Sequence, residues 1–389
     1  MTAYNAGRTA NQSIFEHLNV KPIINACGVY TELGGSRLSP RVWAAMEEAN
    51  RSFVQMSDLL DKSGERIAEL LGAEAAYVTP GAAAGIMLCA AASMVGMKSK
   101  RSERLPITRG MKNEVLIQKG HRYRYDRQVT MTGAKLIDIG SPTETRANQL
   151  IDAITHKSVM IVHPAHLDGK PGTLPLEQVH EIAHPRGVPI FVDAAYMNYP
   201  TDIMGGYLKR GADLVCISAK YFGGPNAGGF VIGREELVGA LPNVNFTGYE
   251  SGNVLKYGRP LKMDRQTIVA VVVALEEWLE TDHEARLSRY ARLVGLLKDK
   301  LEGLPGVRPT PMCFTMDEQL VPEPVNCLVL EFDRAVTGTT ASVLADRLAA
   351  GSPSIWVIKH GDKLALATDV LEESEVAILA DRLRDVMKV

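Results

Sequence analysis

Lys220 is the residue whose surroundings point most directly to chemistry. It lies in ADLVCISAKYFGGPNAGGFVIG at 212–233, where an apolar strand ends in Ser218-Ala219-Lys220, a turn rich in glycine and proline follows, and a second apolar strand begins. A lysine at that junction sits beside an interior that desolvates its ammonium and lowers its pKa, which suits it to Schiff-base formation. Most lysines at strand ends simply reach solvent. Here the neighbours argue for more: Ser218 can donate to a phosphate, and Gly223, Gly224, Gly228 and Gly229 let a ligand approach the backbone closely.

A second group gives the lysine a partner. In VPIFVDAAYMNYP an apolar strand delivers Asp193 to its carboxyl end, the edge of an open parallel sheet on which ligands bind. Alone, such an aspartate caps a helix or holds a metal. Paired with Lys220 it fits a sharper role: a carboxylate against the pyridine nitrogen of pyridoxal 5'-phosphate keeps that nitrogen protonated, and the ring then accepts the electron pair of a carbanion. In YVTPGAAAGI a strand runs into a small-residue helix whose first N–H groups, at Gly81, Ala82 and Ala83, form a site for a phosphate, although small residues at a helix start also serve close packing. In VLIQKGHRYR, His121 follows a strand and a glycine, placed either to lie flat on a cofactor ring or to act as an ordinary strand-end residue. His163 and His166, in VHPAHLD, line a site or pack a loop. They lack the carboxylate partners and unbroken helix of a metal pair, so no metal site is expected.

These residues need a sheet to hold them. From about residue 112, short β-branched runs at Val115–Gln118, Leu136–Ile139, Val159–His163, Val188–Asp193, Leu214–Ser218 and Gly229–Gly233 alternate with helical spacing at Ala147–Thr155 and Leu176–Pro185. That alternation predicts an α/β fold with a mostly parallel central sheet covered on both faces. A helical stretch follows from Asp264 to Leu304, then a break marked by proline and glycine at Leu304–Pro311. A smaller C-terminal α+β domain comes last, with strand Val325–Phe332, helix Thr340–Ala350, strands Ser354–Ile358 and Lys363–Thr368, and helix Glu372–Met387. The expected division is an N-terminal arm and segment at 1–55, a large cofactor domain at 56–262, connecting helices at 263–305 and the small domain at 306–389.

Composition narrows the partners. With 43 Lys and Arg against 45 Asp and Glu, the net charge of −2 supplies no bulk attraction to nucleic acid or an anionic membrane. The uncharged stretch Ala75–Met97 contains Pro80 and Gly81 and reads as strand, turn and buried helix rather than a membrane span. Five scattered cysteines without a Cys-x-x-Cys pair read as buried apolar residues in a reducing compartment, and the opening MTAYNAGRTANQSIFEHLNV lacks the pattern of a secretory signal. A cytoplasmic protein is expected.

In this order of motifs the chain resembles fold-type I pyridoxal-phosphate enzymes, and more narrowly the bacterial selenocysteine synthase-related group that includes D-glucosaminate-6-phosphate ammonia-lyase. KPIINACGVYTELGGSRLS at Lys21–Ser39 is similar to the group's opening motif; YVTPGAAAGI, the VDAA segment, SAKYFGGPNAGG and GRPLKMDR at Gly258–Arg265 follow in sequence. The resemblance implies Lys220 as the lysine that links the cofactor, Asp193 as the pyridinium partner, Ser218 with Gly81–Ala83 around the phosphate, and His121 stacked on the ring. It implies Arg259 as a fork for the substrate carboxylate, for which a structural ion pair is the plain alternative. Thr247 and Gly248, in NFTGYESGN, fall where related enzymes reach across a dimer, so a homodimer or larger even assembly is implied.

Two departures lie on the substrate side: the bulky run Ala194–Pro200, and Asp264-Arg265-Gln266 after Arg259. The motifs therefore specify fold and cofactor but not substrate. Selenocysteine synthase proper carries a sizeable region before the opening motif, which here begins near Lys21, so a small amino-acid-type molecule rather than tRNA is expected. The expected activity is that of a lyase, an ammonia-lyase or dehydratase acting through an α-carbanion on a small hydroxy amino acid or amino-sugar acid. Racemisation or epimerisation, aldol cleavage, and a catalytically silent regulatory protein are the rival readings.

Overall fold

The apolar runs of the middle of the chain form one seven-stranded sheet in the computed structural model, which describes residues 13–387. Its strands are β2 (Ala75–Thr79), β3 (Glu114–Gln118), β4 (Lys135–Ile139), β5 (Ser158–Pro164), β6 (Ile190–Asp193), β7 (Leu214–Ser218) and β8 (Gly229–Gly233), counting Ile23–Ala26 as β1. They lie in the order β2-β8-β7-β6-β5-β3-β4. From β7 to β4 every pairing is parallel, whereas β8 runs antiparallel to both β7 and β2. All residues of β5, β6, β7 and β8 are buried, as sheet strands covered on both faces must be, which explains their unbroken apolar sequence.

Two reversals of direction make β2 parallel to β7. The carboxyl ends of β2, β5, β6 and β7 therefore meet at one edge, and there β8 begins.

The sheet and its helices form one compact unit, Ser36–Glu280. The other unit joins the described residues up to Gly35 to those from Thr281 onward. These bounds differ from the expected segments because the two long helices, Arg265–Glu280 and His283–Leu301, part company. The first packs on the helices Pro40–Asn50 and Met56–Leu71 and is tied to them by Arg41–Glu280 at 2.5 Å and Arg66–Glu276 at 2.8 Å. The second buries Leu293, Val294, Leu297 and Leu301 in the core of the smaller unit.

That smaller unit has a six-stranded sheet in the order β1-β12-β13-β11-β9-β10, with β9 at Val307–Phe314, β10 at Leu320–Val321, β11 at Cys327–Phe332, β12 at Ser354–His360 and β13 at Lys363–Ala367. Three of its strands, β1, β9 and the short β10, lie outside the expected elements. β1, in the opening motif, pairs parallel with β12 from the far end of the sequence. β9 contains Pro309 and Pro311, whose spacing reads as a break; both sit opposite β11, at Leu330 and Leu328. At alternate positions their missing N–H groups face the other side, where β10 pairs only with Cys313 and Phe314. A strand tolerates proline where no neighbour asks for its N–H.

The first twelve residues of the expected N-terminal arm lie outside the described residues. Among the described residues all five thiols are free, four of them buried and Cys27 half-buried, and no helix is long and apolar enough to cross a membrane.

Candidate active site

Register brings the chemistry to the shared strand edge. Asp193 is the last residue of β6 and pairs with Cys216 of β7 on one side and Pro164 of β5 on the other. Ser218, the last residue of β7, lies opposite Gly229, the first of β8, and Gly229 lies opposite Thr79, the last of β2. After Thr79 the chain turns at Gly81, with φ at +88°, into the helix Ala82–Val95. A Cβ on Gly229 would stand 2.6 Å from the Ile217 carbonyl and 3.0 Å from the Gly81 Cα. Only glycine lets the helix start approach the lysine strand this closely.

Lys220 sits in the tight turn Ala219–Phe222 that ends β7 and is 9% exposed. Burial lowers its pKa from the ordinary lysine value. Its Nζ lies 4.8 Å from the ring centre of Tyr221. The turn is pinned where it leaves β7: Ser218 N–H donates to the Ala195 carbonyl and Ala219 N–H to that of Gly228, each at 2.9 Å. The Asn198 amide holds the Tyr221 carbonyl, and the Trp278 indole donates to the Asn198 carbonyl at 2.9 Å.

Asp193 is buried among neutral donors. Its Oδ1 accepts from Ala195 N–H at 3.2 Å and from the Cys216 thiol at 3.4 Å, and its Oδ2 accepts from the Tyr123 hydroxyl at 2.5 Å. Burial raises the carboxyl pKa; those three donors and the charge of His166 oppose the rise without cancelling it. Among the described residues no arginine or lysine is paired with Asp193 in a salt bridge. The site thus keeps an acidic group that feels the charge of His166 but is bonded only to neutral donors.

Tyr123 is the residue beside Asp193 that sequence reasoning misses. It lies two positions after His121, in a segment whose motif draws attention to the histidine, but nothing in the spacing says that its hydroxyl spans to a residue 70 positions away. From its ring a run of aromatic side chains leads back toward the lysine: Tyr123 to His166 at 5.5 Å, His166 to Tyr196 at 5.9 Å, and Tyr196 to Tyr221 at 5.9 Å between ring centres.

His121 itself corrects an expectation. It is 0% exposed, stands edge-on to His163 at 4.9 Å, and has its Nε2 3.0 Å from the Thr173 hydroxyl and its Nδ1 3.5 Å from the Gln118 amide. Burial, followed by the charge of His163, presses its pKa down to about 3, so the ring is neutral at physiological pH. A ring packed on all sides offers no face for stacking. His163 likewise belongs to the interior: its Nε2 lies 3.0 Å from Asp168 Oδ1, and Asp168 also accepts from Leu176 N–H at 3.1 Å and from Arg210 at 2.6 Å. Burial pushes the Asp168 carboxyl up, but the bonds from His163 and Arg210 outweigh it and leave the pKa well below the usual carboxylate range.

Three expected residues have partners of their own. Arg259 donates to Glu250 at 2.5 Å and lies 5.9 Å from the Tyr249 ring, the structural ion pair that was its plain alternative. Thr247 and Gly248 form a turn held by Asn245, whose Oδ1 accepts from Thr247 N–H at 3.0 Å and from its hydroxyl at 3.1 Å, while Lys256 donates to the Thr247 carbonyl at 2.7 Å. Among the described residues no cluster of three or more His, Cys, Asp or Glu side chains could hold a metal ion.

The strand order, the lone antiparallel β8 and the lysine and aspartate at one edge define the class: the fold is that of fold-type I pyridoxal-phosphate enzymes. Solved structures share it. A D-glucosaminate-6-phosphate ammonia-lyase superposes with a TM-score of 0.83 at 25% identity, covering 97% of this chain and 99% of the other. A NifS-like protein, at 17% identity and a TM-score of 0.53, shows the same fold over 94% of the chain. Residues 23–303 match the L-seryl-tRNA selenium transferase (SelA) family, and the chain belongs to that family.

Among curated relatives, the D-glucosaminate-6-phosphate ammonia lyase of Salmonella typhimurium is 27% identical over 96% of this chain and 98% of its own length. A 5'-C-glycyluridine monooxygenase-decarboxylase from a Streptomyces species is 29% identical over 90% of this chain and 85% of its own. The L-seryl-tRNA(Sec) selenium transferase of Moorella thermoacetica is 26% identical over 72% of this chain and 61% of its own length. These relatives are enzymes.

Proposed function

We propose that this chain is a pyridoxal-phosphate-dependent lyase that removes ammonia from a small hydroxy amino acid or amino-sugar acid. The observation that carries the reading is the pairing, at neighbouring strand ends, of a desolvated lysine with a buried aspartate that has no cationic partner among the salt bridges of the described residues. The residues present fit the cofactor. Lys220 would link it, Asp193 would meet its ring nitrogen, and the N–H groups of Ala82 and Ala83 with the Ser218 hydroxyl would hold its phosphate at the start of a helix; the expected Gly81 N–H instead donates to the Thr79 carbonyl at 2.8 Å. When bound, pyridoxal phosphate supplies an electron sink for the pair released at the substrate's α carbon.

The chain's own groups do the rest. Lys220, its ammonium destabilised by burial, is the base for the α proton. Asp193, buried in the sheet edge, would hold a cationic ring nitrogen more strongly than it would in water. Loss of the β-hydroxyl then leaves a product that takes up water and releases ammonia as a 2-oxo acid forms. Tyr123, rather than His121, is the ring beside Asp193, and with His166, Tyr196 and Tyr221 it provides an aromatic face. The substrate carboxylate contact of Arg259, a dimer in which Thr247 and Gly248 approach the partner's cofactor, and a cytoplasmic location complete the proposal. The ammonia lyase that matches this chain over nearly its full length supports it.

Lys220→Ala tests it. The wild-type protein with pyridoxal phosphate should show a visible absorption band that borohydride traps covalently, and should release ammonia from one member of a panel of D- and L-hydroxy amino acids and amino-sugar acids. The variant should do neither. A trapped, covalently linked chromophore in the variant overturns the assignment. The aromatic face also favours a second reading, oxidation of an amino acid borne on a nucleoside, as the name of the Streptomyces relative suggests. Consumption of oxygen with release of carbon dioxide, in place of ammonia with 2-oxo acid, would select it.

A further inference from the structure

The buried carboxylate of Asp193 has an uneven set of partners. Oδ1 is filled, with a backbone N–H and a thiol, while Oδ2 takes one short hydrogen bond, from Tyr123, leaving one of its two acceptor positions open. We propose that Tyr123 is a positioning residue for Asp193: by donating to Oδ2 it keeps the proton shared between this carboxylate and a bound ring nitrogen on the nitrogen. This inference rests on the cofactor reading above and deepens it.

Asp193 and a bound ring nitrogen would compete for one proton. A carboxyl buried without a salt-bridge partner prefers to be neutral, and Asp193 is displaced in that direction in spite of the charge of His166. Were it to take the ring proton, the site would hold a neutral pair and the electron sink would weaken. A hydrogen bond to the ionised form opposes this, and a short bond to a charged acceptor opposes it most. The other groups facing the carboxylate are Cys216 from β7 and His166 from the turn after β5, while Asp126 faces Tyr123 itself. Of the direct donors the thiol is the weaker, at 3.4 Å. The tyrosine hydroxyl is itself held protonated, because burial and the neighbouring Asp193 charge push its pKa well above the usual value. It therefore remains a donor wherever Asp193 is ionised.

The test reads binding, not turnover. Dissociation constants for pyridoxal phosphate and for its 1-deaza analogue, which has a ring carbon in place of the nitrogen, are measured against pH on the full chain by equilibrium dialysis. The ratio of the two isolates the contribution of the ring nitrogen from the titrations of phosphate, Lys220 and His166 that both ligands share. In the wild type the preference for pyridoxal phosphate should fall away on the acid side as Asp193 becomes protonated. In Tyr123→Phe that acid limb should move to higher pH, by about one unit or tenfold in proton affinity. With 3-fluorotyrosine at position 123, a stronger donor of the same shape, it should move to lower pH, and this second variant serves if the first does not fold.

An acid limb unmoved in either folded variant overturns the proposal and leaves Tyr123 a packing residue. Asp193→Asn should show no limb at all. A limb that survives in Asp193→Asn would overturn the reading of Asp193 itself, a different failure from that of Tyr123.

Discussion

Asp168 and Asp193 follow adjacent parallel strands, β5 and β6, at the same edge of the same sheet, and the surroundings drive their carboxyl groups in opposite directions. Asp168 is surrounded by donors that match its charge, with Arg210 on one oxygen, His163 and a backbone N–H on the other, and its pKa is depressed. Asp193 has a tyrosine, a thiol and a backbone N–H, none of them cationic, and its pKa is raised. The first carboxylate is satisfied by the fold and stabilises it. The second is held by the fold against the cost of its burial, and under the proposed function it would meet a cation from outside. Desolvation alone does not mark a functional acid; desolvation with a missing partner does.

The largest expected effect comes from Asp193→Asn. Turnover should fall by about 10²–10³-fold, since the buried charge opposite the developing carbanion sink is gone. The stability of the cofactor-free protein should not fall with it. Because the folded pKa of Asp193 is raised, its stabilising contribution is complete below the unfolded value near 4 and is lost as pH rises through the folded value. Wild type and Asp193→Asn should accordingly unfold alike in acid, with the variant gaining on the wild type as pH increases. Denaturant melts across pH would show it, and a variant less stable at neutral pH than in acid, relative to wild type, would break the comparison.

Asp168→Asn should behave in the opposite way. It leaves Arg210 and the buried His163 short of a partner and should cost about 1–3 kcal/mol of stability, while cofactor affinity changes little. The depressed pKa places the contribution above the unfolded value near 4, to be lost as pH falls through the folded value, so the variant's deficit should close in strong acid. The smallest effect belongs to Arg259→Ala. The Arg259–Glu250 side chains are 34% and 65% exposed, and breaking the pair should cost under about 1 kcal/mol. If Arg259 also holds the substrate carboxylate, KM should rise with the cofactor spectrum unchanged; an unaltered KM leaves it a surface ion pair.

Much of this arrangement is legible in the order of the amino acids. The strands Leu214–Ser218 and Gly229–Gly233 occupy the positions their unbroken apolar runs predict, because a strand covered on both faces admits few polar residues. The positions of Lys220 and Asp193 at strand ends follow from the same runs. What local spacing hides depends on register across strands. Tyr123 follows β3 and Asp193 ends β6, with β5 between those strands, so their contact is a product of sheet order. The same is true of β1, a strand in the opening motif completed by β12 more than three hundred residues later. His121 misleads for a subtler reason: a histidine after a strand and a glycine looks available, and only the packing of Thr173 and Gln118 around it shows that it is not.

The antiparallel strand β8 has a mechanical consequence. Because it starts where β7 stops, the segment carrying Lys220 leaves the sheet and returns to it at the same edge, closed by the bond from Ala219 to Gly228. The lysine thus rides on a loop clamped at both feet rather than on a free strand end. Its backbone has nowhere to drift, and the reach of the amine is set by the four methylenes of its own side chain, like a short tether on a fixed post. In the proposed reaction, where Lys220 would let go of one partner and take a proton from another, such an arrangement would let it swing without losing its place.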